Sequence, residues 1–145
     1  MADVFTVDAS VFVSAVQESE ASSGTSREFL QRLHETGVPL FEPTLVLTEV
    51  AAAIARGTGD RRRSRDLAQS IGRLPRVTLV PLDAVLAEAA AKAAADHFLR
   101  GADAVYVAVA ERYGTRLVTL DKEQHARSPR TVKAATPAEA LKTLP

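Results

Sequence analysis

Short apolar runs alternate with longer amphipathic segments along the whole chain. Residues 4–7, 38–41 and 77–80 form runs that are too short for helices and contain β-branched or aromatic residues, so each predicts a buried strand. Residues 116–120 and 131–133 predict a fourth and a fifth strand. Because helical segments separate these strands, the pattern predicts a three-layer α/β/α sandwich around a parallel sheet of about five strands.

Helical periodicity fills the intervals between the strands. The predicted helices cover residues 11–18, 25–36, 44–56, 60–72, 83–99 and 102–113, followed by a short turn near Gln124 and a last helix opened by Thr136 and Pro137. Gly37 and Gly114 stand where left-handed residues end helices. A capping box at residues 25–28 is expected to open the second helix, Pro43 the third and Asp83 the fifth.

Length and composition indicate one globular domain spanning residues 1–145. A chain of this length buries roughly 70% of its unfolded surface, so it needs no second core. Charged residues make up 25% and hydrophobic residues 46%, an ordinary balance for a folded soluble protein. The formal net charge is zero, so a polyanionic partner would have to bind through a local basic patch.

Several functional classes are excluded by residues that the chain lacks. It has no cysteine, which removes disulfides, thiolate metal sites and thiol nucleophiles, and favours a cytoplasmic location. Its three histidines are scattered over predicted helices, which argues against a zinc site or a catalytic triad. No apolar run approaches the ~20 residues of a membrane span, and no basic signal segment begins the sequence. We therefore expect neither membrane insertion nor secretion.

Four acids occupy positions that a parallel sheet brings together. Asp8 and Asp121 follow the first and fourth strands, Asp103 lies in a first helical turn, and Glu49 lies beside the apolar stripe of the third helix. Singly, an Asp at a helix start or after a strand is an ordinary capping or turn residue. Strand ends and helix starts share one edge of such a sheet, however, and neighbouring carboxylates repel. A hard divalent cation would neutralise them.

Four motifs in this order resemble those of PIN-domain ribonucleases, and of the VapC toxins of toxin–antitoxin pairs in particular. They are VDAS at 7–10, LTEV at 47–50, RGADAVYVAVA at 100–110 and LVTLD at 117–121, and they span nearly the whole chain. The resemblance implies a single PIN domain that cleaves RNA as a Mg²⁺- or Mn²⁺-dependent endoribonuclease. It also implies an antitoxin protein as a partner and a homodimer.

The resemblance assigns roles to individual positions. Asp8, Glu49, Asp103 and Asp121 would be the catalytic, metal-binding acids, with Glu49 acting through a water or a second metal. The supporting hydroxyls, Ser10 and Thr119, would orient a ligand or a water molecule. A partner would restrain the enzyme by placing an arginine or lysine among the acids and an amphipathic segment in a groove near Phe12 and Phe29.

A basic segment lies between the second and third motif. Residues 56–76 contain seven arginines and two aspartates, an excess of five positive charges. Arginine binds phosphate through its guanidinium fork, so this segment is a candidate RNA-binding surface. Its foremost candidates are Arg56, Arg61, Arg62, Arg63 and Arg65. A solvated helix face and a surface for an acidic partner are equally compatible with the pattern.

Other functions fit the sequence less well. A phosphoacceptor module also places acids at strand ends, but an aspartyl phosphatase needs a second Asp where this chain has Ser10. A receiver domain needs an Asp after the third strand, where Pro81 stands. A folded, non-catalytic binding protein and a housekeeping PIN nuclease that processes RNA without an antitoxin are the remaining alternatives.

Overall fold

The structure is a computed structural model, which describes residues 3–145 of the chain. Strands and helices alternate along most of it. They are β1 (Phe5–Val7), α1 (Ala9–Val16), α2 (Ser23–Thr36), β2 (Leu40–Pro43), α3 (Leu45–Thr58), α4 (Arg61–Gly72), β3 (Val77–Val80), α5 (Ala84–His97), α6 (Gly101–Tyr113), β4 (Arg116–Val118), α7 (Lys122–Arg127), β5 (Ala134–Ala135) and α8 (Pro137–Leu141). None of these helices is long and apolar enough to span a lipid bilayer.

All five strands are parallel and lie in the order β3-β2-β1-β4-β5. The predicted α/β/α sandwich is thereby confirmed. From β1 the chain first builds outward through β2 and β3, and then returns to add β4 and β5 on the other side of β1. The strand order therefore reverses between β1 and β4, and ligands bind at such a point in open α/β sheets. Asp8 follows β1 and Asp121 lies three residues after the end of β4.

Helix α6 forms the centre of the core against this sheet. Seven consecutive residues of α6, from Ala104 to Ala110, are buried, and the helix contacts β1, β2 and β4 as well as α5. A helix that is apolar all round is stable only where it is covered on every side. The first turn of α6 is consequently held rigidly at the end of the sheet, and this turn carries Asp103.

Local signals correctly predicted several helix ends. Gly37 and Gly114 adopt φ of 67° and 63°, the left-handed conformation that ends α2 and α6. The carboxylate of Asp83 accepts a 2.9 Å hydrogen bond from the backbone N–H of Leu86 and caps α5. Thr136 forms a capping box with Glu139 at the start of α8.

Three predicted boundaries are wrong because strand pairing and side-chain contacts override the local signal. Pro43 is the last residue of β2, paired with Val80 of β3, rather than the first residue of α3. The fifth strand is Ala134–Ala135, in register with Leu117 and Val118 of β4, whereas residues 131–133 precede it.

The start of α2 also differs from the prediction. This helix begins at Ser23, so the expected capping box at residues 25–28 lies inside it. The hydroxyl of Ser14 on α1 is hydrogen-bonded to the hydroxyls of Ser22 and Ser26, at 2.7 and 3.2 Å. These contacts hold the beginning of α2 against α1.

Candidate active site

An open cleft of about 590 Å³ lies at the carboxyl edge of the sheet, where the strand order reverses. Its walls come from α1 and Asp8 before it, the segment between α1 and α2, α3, the start of α6 and the segment after β4. The four predicted acids Asp8, Glu49, Asp103 and Asp121 all line it, together with the predicted Ser10. Acids from four separate parts of the sequence are thus brought to one place.

Asp8 is the most deeply placed of these acids. It is the N-cap of α1, and its Oδ2 accepts a 3.0 Å hydrogen bond from the backbone N–H of Ser10. Only 6% of the residue is exposed. Burial raises the pKa of the Asp8 carboxyl, and contacts with Ser10 and Gln124 offset part of this rise.

Asp103 and Asp121 face each other across the mouth of the cleft. Burial raises the pKa of Asp103, and the negative charge of Asp121 raises it further. Asp121 caps α7, because its Oδ1 accepts a 2.9 Å hydrogen bond from the backbone N–H of Gln124. The side-chain amide of Gln124, which is fully buried, donates in turn to the carbonyl oxygen of Asp103 at 3.2 Å. Gln124 therefore fixes the two acidic segments relative to each other.

The two predicted hydroxyls hold the backbone between β4 and α7. Ser10 Oγ accepts a hydrogen bond from the backbone N–H of Leu120 at 3.1 Å, and Thr119 Oγ1 accepts one from the N–H of Asp121 at 3.0 Å. Thr119 is almost fully buried, whereas Ser10 borders the cleft. These contacts set the position of Asp121. A role of either hydroxyl in orienting a ligand or a water molecule stays a prediction.

Glu49 lies on the wall opposite α6 and is bound by a tyrosine. Its Oε1 accepts a 2.7 Å hydrogen bond from the phenol hydroxyl of Tyr106, which is itself fully buried. Burial raises the pKa of Glu49 and the Tyr106 bond lowers it, while the charges of Asp8 and Asp103 raise it further. The sequence placed Tyr106 in the apolar stripe of its helix, and that pattern carries no sign of the polar contact.

Glu20 lines the cleft besides the four predicted acids, and a further carboxyl that sequence reasoning missed lies beneath it. Glu42 on β2 is fully buried, and its Oε1 accepts a 2.5 Å hydrogen bond from the backbone N–H of Val7. Its Oε2 has no hydrogen-bond partner within residues 3–145. Burial raises the pKa of Glu42 well above its ordinary value, which favours its neutral form. The one available signal was an acid inside an otherwise apolar strand.

Arg100 is the second residue that the sequence did not single out. It is the N-cap of α6, and its guanidinium contacts both Asp103 and Asp121. Nε donates to Oδ2 of Asp103 at 3.1 Å, and Nη2 donates to Oδ2 of Asp121. The only hint in the sequence was a basic residue at a helix N-terminus, where the helix dipole disfavours positive charge.

The cleft has the chemistry of a site for a hard divalent cation. Carboxylate oxygens are the ligands that Mg²⁺ and Mn²⁺ prefer, and Asp103 and Asp121 already share a cationic group. Among residues 3–145 no three acidic or histidine side chains converge closely enough to hold one ion together. Mg²⁺ is commonly held by one or two carboxylates, with water and substrate phosphate completing the shell, so the residues fit such an ion.

The predicted basic segment forms a surface apart from this cleft. Arg56 lies in the last turn of α3, and Arg61, Arg62, Arg63 and Arg65 lie on α4, all of them exposed. Arg62 and Arg63 border a shallow depression with two aspartates, and none of the five lines the acidic cleft. Any contact of these arginines with RNA would therefore lie outside the cleft.

An apolar groove of about 440 Å³ separates α2 from α4. It is lined mainly by Phe12, Val16, Leu30, Leu33, Leu67, Ile71 and Leu74. The groove expected near Phe12 is present, but Phe29 does not line it. Phe29 is fully buried and packs edge-on against Phe5, with ring centroids 5.7 Å apart.

Comparisons with known proteins agree with this architecture. The sequence matches the family described as PIN domain over residues 5–128. No curated protein matches it. Among solved structures, VapC20 of Mycobacterium tuberculosis, a sarcin-ricin loop cleaving toxin, is similar with a TM-score of 0.71 and 23% identity, covering 89% of this chain and 98% of that one.

Two further solved structures are similar at lower identity. VapBC2 of Rickettsia felis, bound to a DNA fragment from its promoter, gives a TM-score of 0.68 and 12% identity, covering 92% of this chain and 98% of that one. FitAcB of Neisseria gonorrhoeae gives a TM-score of 0.68 and 16% identity, covering 93% and 99%. At such identities the likeness concerns the fold.

Proposed function

This chain belongs to the PIN-domain family, and from that premise we propose that it is a Mg²⁺- or Mn²⁺-dependent endoribonuclease and the toxin of a toxin–antitoxin pair. One observation carries the proposal. Asp8, Glu49, Asp103 and Asp121 line one cleft at the point where the strand order of the sheet reverses. The similar structures include a toxin that cleaves the sarcin-ricin loop, which supports RNA as the substrate class.

Asp103 and Asp121 would hold the metal in this cleft, and Asp8 and Glu49 would contribute to the site through water molecules. When bound, such an ion lowers the pKa of a coordinated water and stabilises charge on the scissile phosphate. The chain itself supplies the fixed geometry. Ser10 and Thr119 hold the segment that carries Asp121, and Gln124 ties this segment to Asp103.

Glu49 would have a separate role from the aspartates. Its bond to Tyr106 directs one carboxylate oxygen away from the cleft and favours the ionised form. An ionised carboxylate at the side of the site accepts protons from a bound water, which matches a water-mediated role. Glu42 lies behind Asp8, and its burial favours the neutral form of this carboxyl.

An antitoxin partner is supported by the similar structures, several of which are complexes of a toxin with its antitoxin. The groove between α2 and α4 offers this partner an apolar surface, which suits an amphipathic segment. A homodimer is a further part of the proposal. Leu82 and Val85, at the start of α5, are 45% and 67% exposed and are the apolar side chains that we assign to its interface.

Metal-titrated cleavage tests the activity. Total bacterial RNA is incubated with the purified chain over a range of Mg²⁺ and Mn²⁺ concentrations, and the new ends are mapped by sequencing. Cleavage at defined sites is expected only with metal, and it is expected to disappear in Asp103→Asn. The matched control is Asp96→Asn, because Asp96 lies exposed on α5 and pairs with Lys92 instead. Metal-independent cleavage, or cleavage retained in Asp103→Asn, would refute the proposal.

A further inference from the structure

Arg100 joins the two acids at the mouth of the cleft. Its Nε lies 3.1 Å from Oδ2 of Asp103, its Nη2 contacts Oδ2 of Asp121, and Nε is also 3.9 Å from a carboxylate oxygen of Glu123. One guanidinium thus partly neutralises two acids, Asp103 and Asp121, that lie on different segments of the chain.

The position of Arg100 is not explained by helix stability. It is the N-cap of α6, but its side chain makes no capping bond. The N-terminus of a helix carries partial positive charge, so an arginine there is unfavourable unless acids compensate it. The aspartates of the cleft supply this compensation, and the contact therefore belongs to the cleft rather than to the helix.

We propose that Arg100 is an internal counter-ion that competes with the divalent metal for Asp103 and Asp121 and, when displaced, binds the RNA phosphate. This inference rests on the proposed function, since it needs both a metal and an RNA. The sequence led us to expect a basic side chain of a partner protein among the acids, whereas Arg100 is a basic side chain of this chain itself.

Competition follows from the carboxylates that both cations would use. Oδ1 of Asp121 accepts the backbone N–H of Gln124, and Arg100 contacts Oδ2 of Asp121. Arg100 contacts Oδ2 of Asp103 as well. A divalent cation held by the same two carboxylates would be repelled by the guanidinium beside it, so the two cations compete for these acids. By linkage, a bound metal weakens the hold of the acids on Arg100 to the same degree.

The displaced side chain has a suitable new ligand close by. Within the described part of the chain, Arg100 is the only basic residue that lines the cleft. It lies at the rim, with 64% of its side chain exposed. An RNA phosphate entering an acid-lined cleft needs a cationic contact besides the metal, and a guanidinium binds phosphate oxygens in a bidentate manner.

Direct metal binding gives the first test. Mn²⁺ affinity is measured by calorimetry for the wild type, Arg100→Gln and Arg100→Lys. If the guanidinium occupies the acids about nine-tenths of the time, its removal tightens the apparent affinity roughly tenfold. The Mn²⁺ affinity of Arg100→Lys should lie between those of the wild type and Arg100→Gln, because one ammonium group cannot contact both carboxylates as the planar guanidinium does. In the wild type, Mg²⁺ should shift the NMR signal of the Arg100 Nε–H towards that of a free side chain.

RNA binding gives the second test, in which removal of the guanidinium should weaken binding rather than tighten it. In an Asp8→Asn background, chosen to prevent cleavage, Arg100→Gln should bind a labelled RNA several-fold more weakly in the presence of Mn²⁺. A purely structural role would instead weaken both metal and RNA binding. The matched control is Arg127→Gln, since Arg127 pairs with Glu123 and the carbonyl of Phe98 but touches neither aspartate.

The outcomes separate this inference from the proposed function. If Arg100→Gln binds Mn²⁺ no more tightly than the wild type, and both cleave RNA, the inference is overturned and the nuclease proposal stands. If neither protein binds Mn²⁺ nor cleaves RNA, both are overturned. Tighter Mn²⁺ binding together with weaker RNA binding, both unchanged in Arg127→Gln, supports the inference.

Discussion

The phenol hydroxyl of Tyr106 on α6 donates a 2.7 Å hydrogen bond to Oε1 of Glu49 on α3. The bond connects a fully buried side chain with a half-buried one and crosses 57 positions of sequence. Because it favours the ionised form of Glu49, it opposes the burial that raises the pKa of this carboxyl. The core residue Tyr106 thus stabilises the ionised form of Glu49 in the cleft.

Tyr106→Phe should therefore affect both stability and activity. Removing the hydroxyl keeps the ring but deletes one hydrogen bond to a carboxylate, which should lower the free energy of unfolding by about 1 kcal/mol. The pKa of Glu49 should rise further, so the acidic limb of the pH profile of RNA cleavage should move to higher pH. Urea denaturation and the pH dependence of kcat/KM measure these effects. Tyr113→Phe is the control, as Tyr113 lies at the exposed end of the same helix.

Stability without metal should rise as the pH is lowered through the raised pKa values of four carboxyls towards their ordinary values of 3.8 and 4.5. Asp8, Glu42, Glu49 and Asp103 all have pKa values raised mainly by burial, so the folded state holds their protons more tightly than the unfolded state. The stabilisation that these four carboxyls contribute is fully present when the pH lies below their ordinary pKa values of 3.8 for Asp and 4.5 for Glu. It is lost as the pH rises through the raised pKa values that they have in the folded protein. Urea denaturation in chelator measures this slope.

Glu42→Gln tests how much the buried Glu42 contributes to this dependence of stability on pH. Glu42 is fully buried, and an amide of the same shape does not titrate, so this variant should show a flatter dependence of stability on pH above the ordinary pKa of 4.5. Asp96 and Glu139 have lowered pKa values, so the stabilisation that they contribute is lost as the pH falls. This loss occurs only below their ordinary pKa values. A wild-type stability that is independent of pH above the ordinary pKa of 4.5 would contradict the prediction.

Replacing Arg61, Arg62 and Arg63 by alanine should weaken RNA binding and flatten its salt dependence. Each phosphate contact that is lost with single-stranded RNA reduces the slope of log affinity against log salt by about 0.7. Fluorescence anisotropy over a range of salt concentrations gives this slope. Lys92→Ala, at an exposed position of α5, provides the control. An unchanged slope would mean that these arginines face solvent or a protein partner.

Expression of the wild-type chain alone should arrest bacterial growth, whereas Asp8→Asn should not. Co-expression with the product of the gene directly upstream should restore growth through a stable complex. Leu30→Glu, which places a charge in the groove between α2 and α4, should reduce capture of that product and leave RNA cleavage intact. Ala95→Glu, at an exposed position of α5 with no assigned role, should not affect capture. A wild-type chain that is harmless while it cleaves RNA would favour a processing nuclease without an antitoxin.

Sequence patterns alone predicted the class of fold and the four acids of the cleft. The alternation of short apolar runs with amphipathic segments is a local property, and it requires a parallel sheet covered by helices on both faces. Asp8 and Asp121 follow such runs, and Asp103 begins a helix, so their common edge follows from the rules of this architecture. The same local chemistry correctly located the caps at Gly37, Gly114 and Asp83.

Tertiary structure decided what depends on contacts between distant segments. The two alanines of β5 have no strand signal of their own, and only pairing with β4 makes them a strand. Glu42 became a buried acid because β2 lies beside β1, and Arg100 contacts Asp121 because α6 begins next to the segment after β4. Such contacts follow from the order of strands in the sheet, which a pattern of neighbouring residues does not encode.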